Sequence, residues 1–286
     1  MKPLRHGYTN NTRGDGTAVV KRYLGPDASA RAERERAMLL ALPGRVPVPP
    51  VLGFEDESLT MGFIGGTHGQ ELLEAGQGRG VLHACGAMLR QIHHADLARA
   101  HPALGDALPG GTSAVPGRAG ALPGPSGALP GPSGALPVQG DALPGRPGAL
   151  AGRIGDGQVL VHGDYGPQNV LLDPATLQIT AVLDWEWAHP GQPVEDLAWC
   201  EWIIRMHHPG HVNLLGGFFA AYGGPVPPWP ERHAFMVERC RSLLDLCHRD
   251  DPGGPGEALW TERLSATRAW QAQGEGFSVT MTDNPS

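Results

Sequence analysis

One segment, VLVHGDYGPQNVLLDPATLQITAVLDWEW at residues 159–187, constrains this chain more than any other. An apolar strand pattern at its start leads into a short polar loop. Two further apolar stretches then surround a turn at residues 174–177, which predicts a β-hairpin. The arms of a hairpin are antiparallel, so the start of the first arm and the end of the second lie together. We therefore expect Asn169 beside Asp184, with Asp164 just before the same end.

Two carboxylates and a carboxamide at one end of a hairpin suit a hard metal ion. Oxygen ligands without Cys or His are those that Mg²⁺ prefers, and Mg²⁺ shares its remaining positions with water and phosphate oxygens. Phosphoryl transfer uses such an arrangement together with a carboxylate that orients the attacking hydroxyl. The simpler alternative is that Asp164 and Asn169 only cap a loop through hydrogen bonds from side chain to backbone.

A second group of residues lies near the other end of the chain. Residues 17–20 form a short strand pattern that ends at Lys21, and the chain has only two lysines among its 22 basic residues. A compact ammonium on a flexible stem suits a point contact with phosphate. On the helix predicted over residues 27–42, Glu35 lies on the apolar face, where a carboxylate needs a partner. The alternative is that Lys21 and Glu35 are ordinary surface charges.

The turn at residues 7–12, GYTNNT, lies between two short strand patterns. It could place backbone N–H groups over phosphates. It lacks the GxGxxG of dinucleotide-binding folds and the GK[ST] of a Walker loop, so its spacing alone predicts only an ordinary hairpin turn.

These motifs together resemble the aminoglycoside phosphotransferase family, which is related to choline kinases and, more distantly, to protein kinases. HGDYGPQN at residues 162–169 is similar to the HGDxxxxN catalytic loop of the family. VLDWEWAHPGQPVEDLAW at residues 182–199 is similar to its later IDxxxxxxGxPxxDLA stretch. VVKRY followed by RERAMLLAL is similar to its paired Lys and Glu. The resemblance covers nearly the whole chain except residues 102–150.

The resemblance implies an α+β, bilobal protein-kinase-like fold with a small, sheet-rich N-lobe and a larger, mainly helical C-lobe. We place the nucleotide-binding lobe at residues 1–66, the hinge and first C-lobe helix at 67–101, and the catalytic and acceptor-binding lobe at 151–273. In residues 102–150, 22 of 49 residues are Gly or Pro and GALPGPS recurs with a seven-residue period, which predicts a disordered, low-complexity insertion. The tail, residues 274–286, is expected to be frayed.

The resemblance also implies roles for residues around the hairpin. Asp164 would be the catalytic base. Asn169 and Asp184 would bind Mg²⁺, and His162 and Asp196 would support the catalytic loop.

On the nucleotide side, the resemblance implies that Lys21 contacts the phosphates of ATP and is held by Glu35. The hinge at residues 60–64 would pair with adenine through its backbone. The other nucleotide-binding residues would come from the turn and from this hinge: Gly7, Tyr8, Asn10, Asn11, Met61, Gly62 and Ile64. Gln192 stands where the family usually has an acidic residue, which puts any role of that position in doubt.

The implied activity is transfer of the γ-phosphate of ATP, with Mg²⁺, to a hydroxyl group of a small molecule such as an aminoglycoside, a sugar or an amino alcohol. One alternative is a nucleotide-binding pseudokinase without transfer activity. Another is a metal-dependent phosphohydrolase that uses Asp164 and Asp184, but this reading leaves Lys21 and Glu35 without a purpose.

Charge and composition exclude some partners. The net charge of −7 and the pI near 6.0 disfavour the backbone of a nucleic acid as a partner. The sequence has no signal-peptide pattern and no apolar run long enough to span a membrane. Its four cysteines form no CxxC motif and are expected to be reduced. We therefore expect a cytoplasmic protein, a monomer or weak dimer, that binds neither nucleic acid nor membrane.

Three further groups of side chains allow a functional or a structural interpretation. The tryptophans near the motif could line a substrate cleft, although packing of the larger lobe is favoured. Acidic residues could form a pocket for a cationic acceptor, and histidines could hold a metal ion or lie in a surface loop. The members are Trp185, Trp187, Trp199 and Trp202; Glu186, Glu195, Glu201 and Asp245; and His207, His208 and His211.

Overall fold

The computed structural model of this protein describes residues 1–3, 10–25, 27–95 and 157–271. Four of the predictions lie outside these residues: the nucleotide-turn contacts at Gly7 and Tyr8, the repeat at 102–150 and the tail at 274–286.

The N-terminal part forms a five-stranded antiparallel sheet in the order β1–β2–β3–β5–β4. The strands are β1 (Lys2–Pro3), β2 (Asn11–Gly14), β3 (Ala18–Arg22), β4 (Val51–Glu55) and β5 (Ser58–Gly62). Helix α1 (Ala28–Ala41), predicted over 27–42, packs against β4 and β5. Lys21 lies in β3 opposite Leu59 of β5, so pairing on both sides holds its backbone in place.

The predicted catalytic hairpin forms in the second part of the chain. Its arms are β8 (Val170–Leu172) and β9 (Ile179–Val182), and Val170 pairs with Val182. Strand β6 (Thr67–His68) adds to β8 and makes a three-stranded sheet. Two more strands, β7 (Val159–Val161) and β10 (His189–Gly191), pair with each other just before and after the hairpin. The loop between β7 and β8 includes a 3₁₀ turn at Pro167–Asn169.

Helices make up most of the remaining C-terminal part. They are α2 (Gly69–Leu72), which continues as a π-type turn at Leu73–Gln77, α3 (Gly78–His93), α4 (Pro193–His207), α5 (Leu215–Tyr222), α6 (Trp229–Asp250) and α7 (Pro255–Ala269), with a 3₁₀ segment at Pro209–Leu214. Across the described ranges, none of these helices combines the length and the apolar character that a membrane span requires.

The main apolar core is continuous between the two lobes. It joins Met38 and Leu39 of α1 to Leu82 and Leu89 of α3 and to Phe218 of α5. A second cluster fills the space between α4, α6 and α7. The helical spacing of apolar residues in α3 favours one buried stripe, and its members are all buried: Val81, Cys85, Met88, Leu89 and Ile92.

The contact between α3 and α5 depends on a glycine. A Cβ atom at Gly86 would clash with the backbone carbonyl of Phe218, which is a rigid neighbour. We predict that Gly86→Ala lowers the free energy of unfolding by about 1–3 kcal/mol, because over-packing forces the helices apart. Urea denaturation monitored by circular dichroism measures this change.

Gly217 of α5 provides the matched control. It is exposed, and a Cβ atom there would meet no atom within 4 Å. Gly217→Ala should therefore raise the free energy of unfolding by up to about 1 kcal/mol through helix propensity alone. Equal effects at the two positions would contradict the packing argument for Gly86.

Candidate active site

The loop after β7 adopts a shape that only glycine allows at one position. Gly163 has a φ angle of +87°, and a Cβ atom there would lie 2.6 Å from the carbonyl oxygen of Trp187. The loop therefore turns sharply between His162 and Asp164. This turn directs the Asp164 side chain to the end of the hairpin, as the sequence predicts.

Asp196 holds this loop from beneath. Its carboxylate is fully buried and accepts the backbone N–H groups of His162 and Gly163 at 2.8 and 2.9 Å. Nε2 of His93 lies 3.1 Å from the same carboxylate. Burial alone would raise the pKa of Asp196, but the hydrogen bond and charge of His93, together with the charge and backbone N–H of His162, outweigh burial and hold this pKa below its ordinary value. Asp196 therefore contacts the loop directly, through hydrogen bonds to two of its backbone N–H groups.

Two histidines contribute to this support, and only His162 was predicted from the sequence. His162, predicted as scaffold, lies 2.9 Å through Nε2 from the carbonyl oxygen of Leu183, so it connects the loop to the end of β9. His93 was missed, although it follows Leu89 by four residues on the buried face of α3. Its position on the helix indicates burial and hence a need for a polar partner. The partner itself, Asp196, could not be inferred because it lies 103 residues further along the chain.

The Asp164 carboxylate is hydrogen-bonded at both oxygens. Nδ2 of Asn169 donates to its Oδ2 at 3.0 Å, and Nε1 of Trp199 donates to its Oδ1 at 2.8 Å. Burial raises the pKa of Asp164, and the bond from Trp199 opposes this increase. The chain thus provides a half-buried carboxylate that two donors orient, which is the property expected of a group that accepts a proton or orients a hydroxyl.

Asn169 and Asp184 lie at the same end of the hairpin, as the register argument predicts. The backbone N–H of Leu183 donates to the carbonyl oxygen of Asn169 at 2.8 Å, which extends the pairing of β8 and β9 by one residue. Asp184 follows with a φ angle of +66°, a left-handed conformation that Asp tolerates better than most residues. This turn moves its carboxylate away from the strand and towards Lys21.

Lys21 lies among three carboxylates. Its Nζ is 2.6 Å from Glu35, 2.6 Å from Asp184 and 3.7 Å from Glu186. Burial opposes the charge of the ammonium, but the carboxylates of Asp184, Glu186 and Glu35 outweigh it and raise the pKa of Lys21 well above its ordinary value. The pairing of Lys21 with Glu35 is therefore present, and it extends to the end of the catalytic hairpin.

These three carboxylates could also be taken for a metal site, since their oxygens lie within 4.8 Å of one another. The ammonium of Lys21 already takes the central position that a cation would need. The side chains of Glu35 and Glu186 are 2% and 1% exposed, whereas that of Asp184 is 29% exposed. Asp184 is therefore the member of this cluster that a metal–nucleotide complex can reach.

The predicted Mg²⁺ ligands fit the chemistry of that ion. The Asn169 amide donates its N–H groups to Asp164, which leaves its carbonyl oxygen as the ligand atom. Asp184 binds Lys21 through Oδ1, so Oδ2 is the oxygen that could bind a metal ion. Both ligands are hard oxygen atoms, and bound nucleotide phosphates would provide others. Asn169 and Asp184 are therefore the residues that would hold the ion.

Glu186 connects the lobes in a way that the sequence did not indicate. Its carboxylate accepts from Nη1 of Arg31 at 3.0 Å and from Nδ2 of Asn10 at 3.0 Å. Nη1 of Arg34 donates to its backbone carbonyl at 2.9 Å. Burial raises the pKa of Glu186 to about 7, while the charges of Lys21 and Arg31 act in the opposite direction. Helix α1 is thus bonded to the segment that follows the catalytic hairpin.

The two asparagines of the predicted nucleotide turn differ in position. Asn10 is 4% exposed and bonded to Glu186. Asn11 is exposed, and its side chain accepts from Nε of Arg13 at 3.2 Å. The structure therefore brings Asn10 to the group around Lys21 but leaves Asn11 on the outer surface of the sheet.

The predicted hinge leaves the sheet after Gly62, the last residue of β5. Met61 is buried in β5, and the N–H of Gly62 donates to the carbonyl oxygen of Pro50 at 2.8 Å. The N–H of Phe63 is also bonded to a neighbouring carbonyl, at 3.0 Å. Backbone pairing with adenine at this segment would therefore use carbonyl groups or the amide of Ile64, rather than the amides of Gly62 and Phe63.

Three of the four acidic residues considered for a cationic-acceptor pocket are already paired with basic side chains. Glu186 is paired with Arg31, Glu195 with His189 at 2.9 Å, and Glu201 with Arg205 and Arg232 at 2.8 and 2.7 Å. The remaining member, Asp245, is exposed. Three of the four tryptophans pack in the interior, as favoured, and Trp187 is half-buried: Trp185, Trp199 and Trp202 are each at most 1% exposed.

Known proteins resemble this chain in sequence and in fold. Residues 1–235 match the model of the phosphotransferase enzyme family. The fold is similar to that of the GDP complex of wild-type aminoglycoside 2'-phosphotransferase-IIIa, with a TM-score of 0.62 and 12% identity over 94% of this chain and 92% of that one. It is also similar to the macrolide 2'-phosphotransferase apoenzyme from Brachybacterium faecium, with a TM-score of 0.51 and 18% identity over 93% of this chain and 94% of that one.

A choline/ethanolamine kinase family protein from Mesorhizobium loti has a TM-score of 0.54 and 15% identity over 91% of this chain and 84% of that one. At these identities the likeness concerns the fold alone. It confirms the α+β, bilobal kinase-like prediction.

Two curated relatives match a shorter part of the chain. The protein named acyl-CoA dehydrogenase family member 11 from Gallus gallus is 36% identical over 90 residues, which are 31% of this chain and 11% of that protein. Its namesake from Pongo abelii is 29% identical over 85 residues, which are 29% of this chain and 10% of that protein. This chain therefore spans about a tenth of the length of the curated relatives that it matches.

The buried pair of Arg31 and Glu186 leads to a stability prediction. At pH 8, above the raised pKa of Glu186, the carboxylate is ionised and the pair is formed. Arg31→Met and Glu186→Gln should each lower the free energy of unfolding, since each leaves a buried polar partner without its counterpart. The double variant should cost less than the sum of the two, by roughly 1–3 kcal/mol. Urea denaturation of the four proteins gives this coupling energy.

The exposed pair of Glu238 and Arg241 in α6 is the control, since it is an ion pair of the same chemistry at the surface. Its double-mutant cycle should give a coupling energy close to zero. A coupling energy for Arg31 and Glu186 no larger than this control would contradict the buried inter-lobe pair.

Proposed function

This chain belongs to the phosphotransferase enzyme family, and we propose that it moves the γ-phosphate of ATP, with Mg²⁺, to a hydroxyl group of a small molecule. The family and the similar structures support a kinase-type transferase. The identities of the nucleotide, the metal ion and the hydroxyl acceptor are inferred from the site residues.

One observation carries the proposal: Lys21 binds Glu35 and Asp184 at the same distance, 2.6 Å. A lysine from the N-lobe sheet is thereby fixed over the end of the catalytic hairpin. Phosphoryl transfer requires a positive charge and a metal-binding carboxylate on the same phosphates, with little covalent chemistry from the protein. Lys21 would provide the positive charge from the N-lobe, and Asp184 would provide the metal-binding carboxylate from the end of the hairpin.

The chain's own residues divide the work. Lys21 would neutralise charge on the phosphates, while Glu35 keeps the ammonium in place. Asp164 would accept the hydrogen bond of the acceptor hydroxyl and orient it for in-line attack, and its raised pKa improves it as a proton acceptor. When bound, Mg²⁺ would supply electrostatic stabilisation of the charge that develops on the phosphate oxygens.

The two alternatives explain less of the structure. A pseudokinase does not require Asp164 to be oriented at both oxygens, yet Asn169 and Trp199 hold it there. A phosphohydrolase that uses only the two aspartates gives no reason for the buried pair of Lys21 and Glu35.

The acceptor is proposed only as a hydroxyl-bearing small molecule. The similar structures carry the names of aminoglycoside and macrolide phosphotransferases and of a choline/ethanolamine kinase family protein. A panel made of an aminoglycoside, a macrolide, choline, ethanolamine and a hexose therefore covers the classes that these names suggest. Release of ADP with each compound identifies an acceptor.

Asp164→Asn tests the catalytic assignment. We predict a loss of turnover of about 100-fold or more, because the amide cannot accept the hydroxyl proton. Binding of Mg·ATP, measured by calorimetry, should persist since the Lys21 cluster is intact. Asp245→Asn makes the same chemical change at an exposed position of α6 and should leave turnover unchanged. Wild-type-like turnover in Asp164→Asn would overturn the role of this residue.

Lys21→Met separates phosphotransfer from metal-dependent hydrolysis. The variant keeps the apolar stem and removes the ammonium, so we predict Mg·ATP binding weaker by about 10- to 100-fold. Arg22→Met is the control, because Arg22 follows Lys21 in β3 but is exposed on the other face of the sheet. Phosphate release that depends on metal and continues at the wild-type rate in Lys21→Met would instead favour the phosphohydrolase.

A further inference from the structure

We propose that Trp199 is a positioning residue that orients the Asp164 carboxylate through its indole N–H. This inference rests on the proposed function and adds to it a residue that neither the catalytic motif nor the metal site requires. Trp199 lies in α4, 35 residues after Asp164, and Nε1 of its indole donates to Oδ1 of Asp164 at 2.8 Å.

The bond complements the one from the catalytic loop itself. Asn169 donates to Oδ2 and to the backbone carbonyl of Asp164, at 3.0 and 2.8 Å. With Trp199 on Oδ1, rotation of the carboxylate about its Cβ–Cγ bond is restrained from both sides. A carboxylate held at both oxygens keeps its remaining lone pairs in a fixed direction, and such orientation accelerates reactions between bound groups.

Trp199 is itself held rigidly. Its ring is 1% exposed and stacks on Trp202, with centroids 4.5 Å apart and an interplanar angle of 2°. The guanidinium of Arg239, from α6, lies 4.5 Å from the ring centroid. These contacts restrict the indole to one orientation, so its N–H is a fixed donor.

Arg239 connects this donor to the same catalytic loop. Its Nη2 donates to the carbonyl oxygen of Gly163 at 2.6 Å, one residue before Asp164. Its Nε is buried and has no hydrogen-bond partner in the described part of the chain. A guanidinium that leaves one donor unpaired while it holds both the loop and the indole ring is placed to fix the two relative to each other.

Packing alone does not account for Trp199, as its neighbour shows. Trp202 is equally buried, belongs to the same stack and also has a bonded indole N–H. Its donor, however, binds Oγ1 of Thr267 at 2.9 Å, on the side of α7. The two residues thus share packing and differ in whether the indole N–H reaches the catalytic carboxylate, which makes Trp202 a matched control.

The kinetic test compares Trp199→Phe with Trp202→Phe. Each change keeps an aromatic ring and removes one indole N–H. With the best acceptor of the panel, we expect Trp199→Phe to lower kcat by about 10- to 100-fold with an unchanged KM for ATP. Trp202→Phe should keep the wild-type kcat. Both variants should lower the melting temperature by similar amounts, since each removes one buried indole N–H. Equal kcat values in the two variants, or a loss in Trp199→Phe that appears only in KM for ATP, would overturn the proposal.

A second measurement does not depend on turnover. The chain has seven tryptophans, so a ¹⁵N spectrum contains one indole N–H signal for each, and Trp199→Phe identifies the signal of Trp199. Asp164→Asn should shift this signal because it removes a charged acceptor, whereas Asp245→Asn should not. An unmoved signal overturns the contact. If Asp164→Asn shifts the signal but the wild-type protein transfers no phosphate to any acceptor of the panel, the contact is confirmed while the proposed function, and with it the positioning role of Trp199 in catalysis, is overturned.

Discussion

The buried ammonium of Lys21 is the interaction on which the arrangement of the two lobes depends. A buried charge without a partner is strongly unfavourable, so Lys21 requires carboxylates. Glu35 comes from α1 of the N-lobe, and Asp184 follows the end of the β8–β9 hairpin. Since these partners belong to different lobes, satisfying one charge fixes α1, β3 and the hairpin relative to one another. The hydroxyl of Tyr23 adds a further bond to Glu35.

The loop at residues 162–166, which carries the proposed catalytic Asp164, depends on polar contacts of another kind. Residues 162–166 lie outside the strand ladders, so neighbouring strands cannot set their conformation. Asp196 binds two consecutive amides of the loop, and His93 stabilises the charge of Asp196. Loop shape is therefore encoded by side chains from α3 and α4 rather than by the loop alone. The positive φ angle of Gly163 shows that the local backbone conformation is also constrained.

Local periodicity explains how much of the site could be predicted from the sequence. Antiparallel pairing brought Asn169 to the end of the hairpin beside Asp184, and helical spacing turned Glu35 inwards. The pairing of Glu186 with Arg31 could not be predicted in this way, because it joins side chains 155 residues apart and depends on how the lobes pack. The sequence also does not tell which of two neighbouring turn residues is buried, because the conformation of the turn decides which side chain faces inwards. Asn10 and Asn11 have the same side chain, yet Asn10 is buried and Asn11 is exposed.

The acidic residues near the motif show why net charge is a poor guide to an acceptor. A chain with a net charge of −7 suggests free carboxylates for a cationic substrate, yet Glu186 and Glu201 each lie within 3.0 Å of an arginine. Burial makes this neutralisation necessary, because an unpaired carboxylate in the interior would be unstable. The charges that remain at the surface act at long range and are screened by salt. The buried acidic residues near the motif are therefore explained by their arginine partners, and net charge alone does not indicate a cationic acceptor.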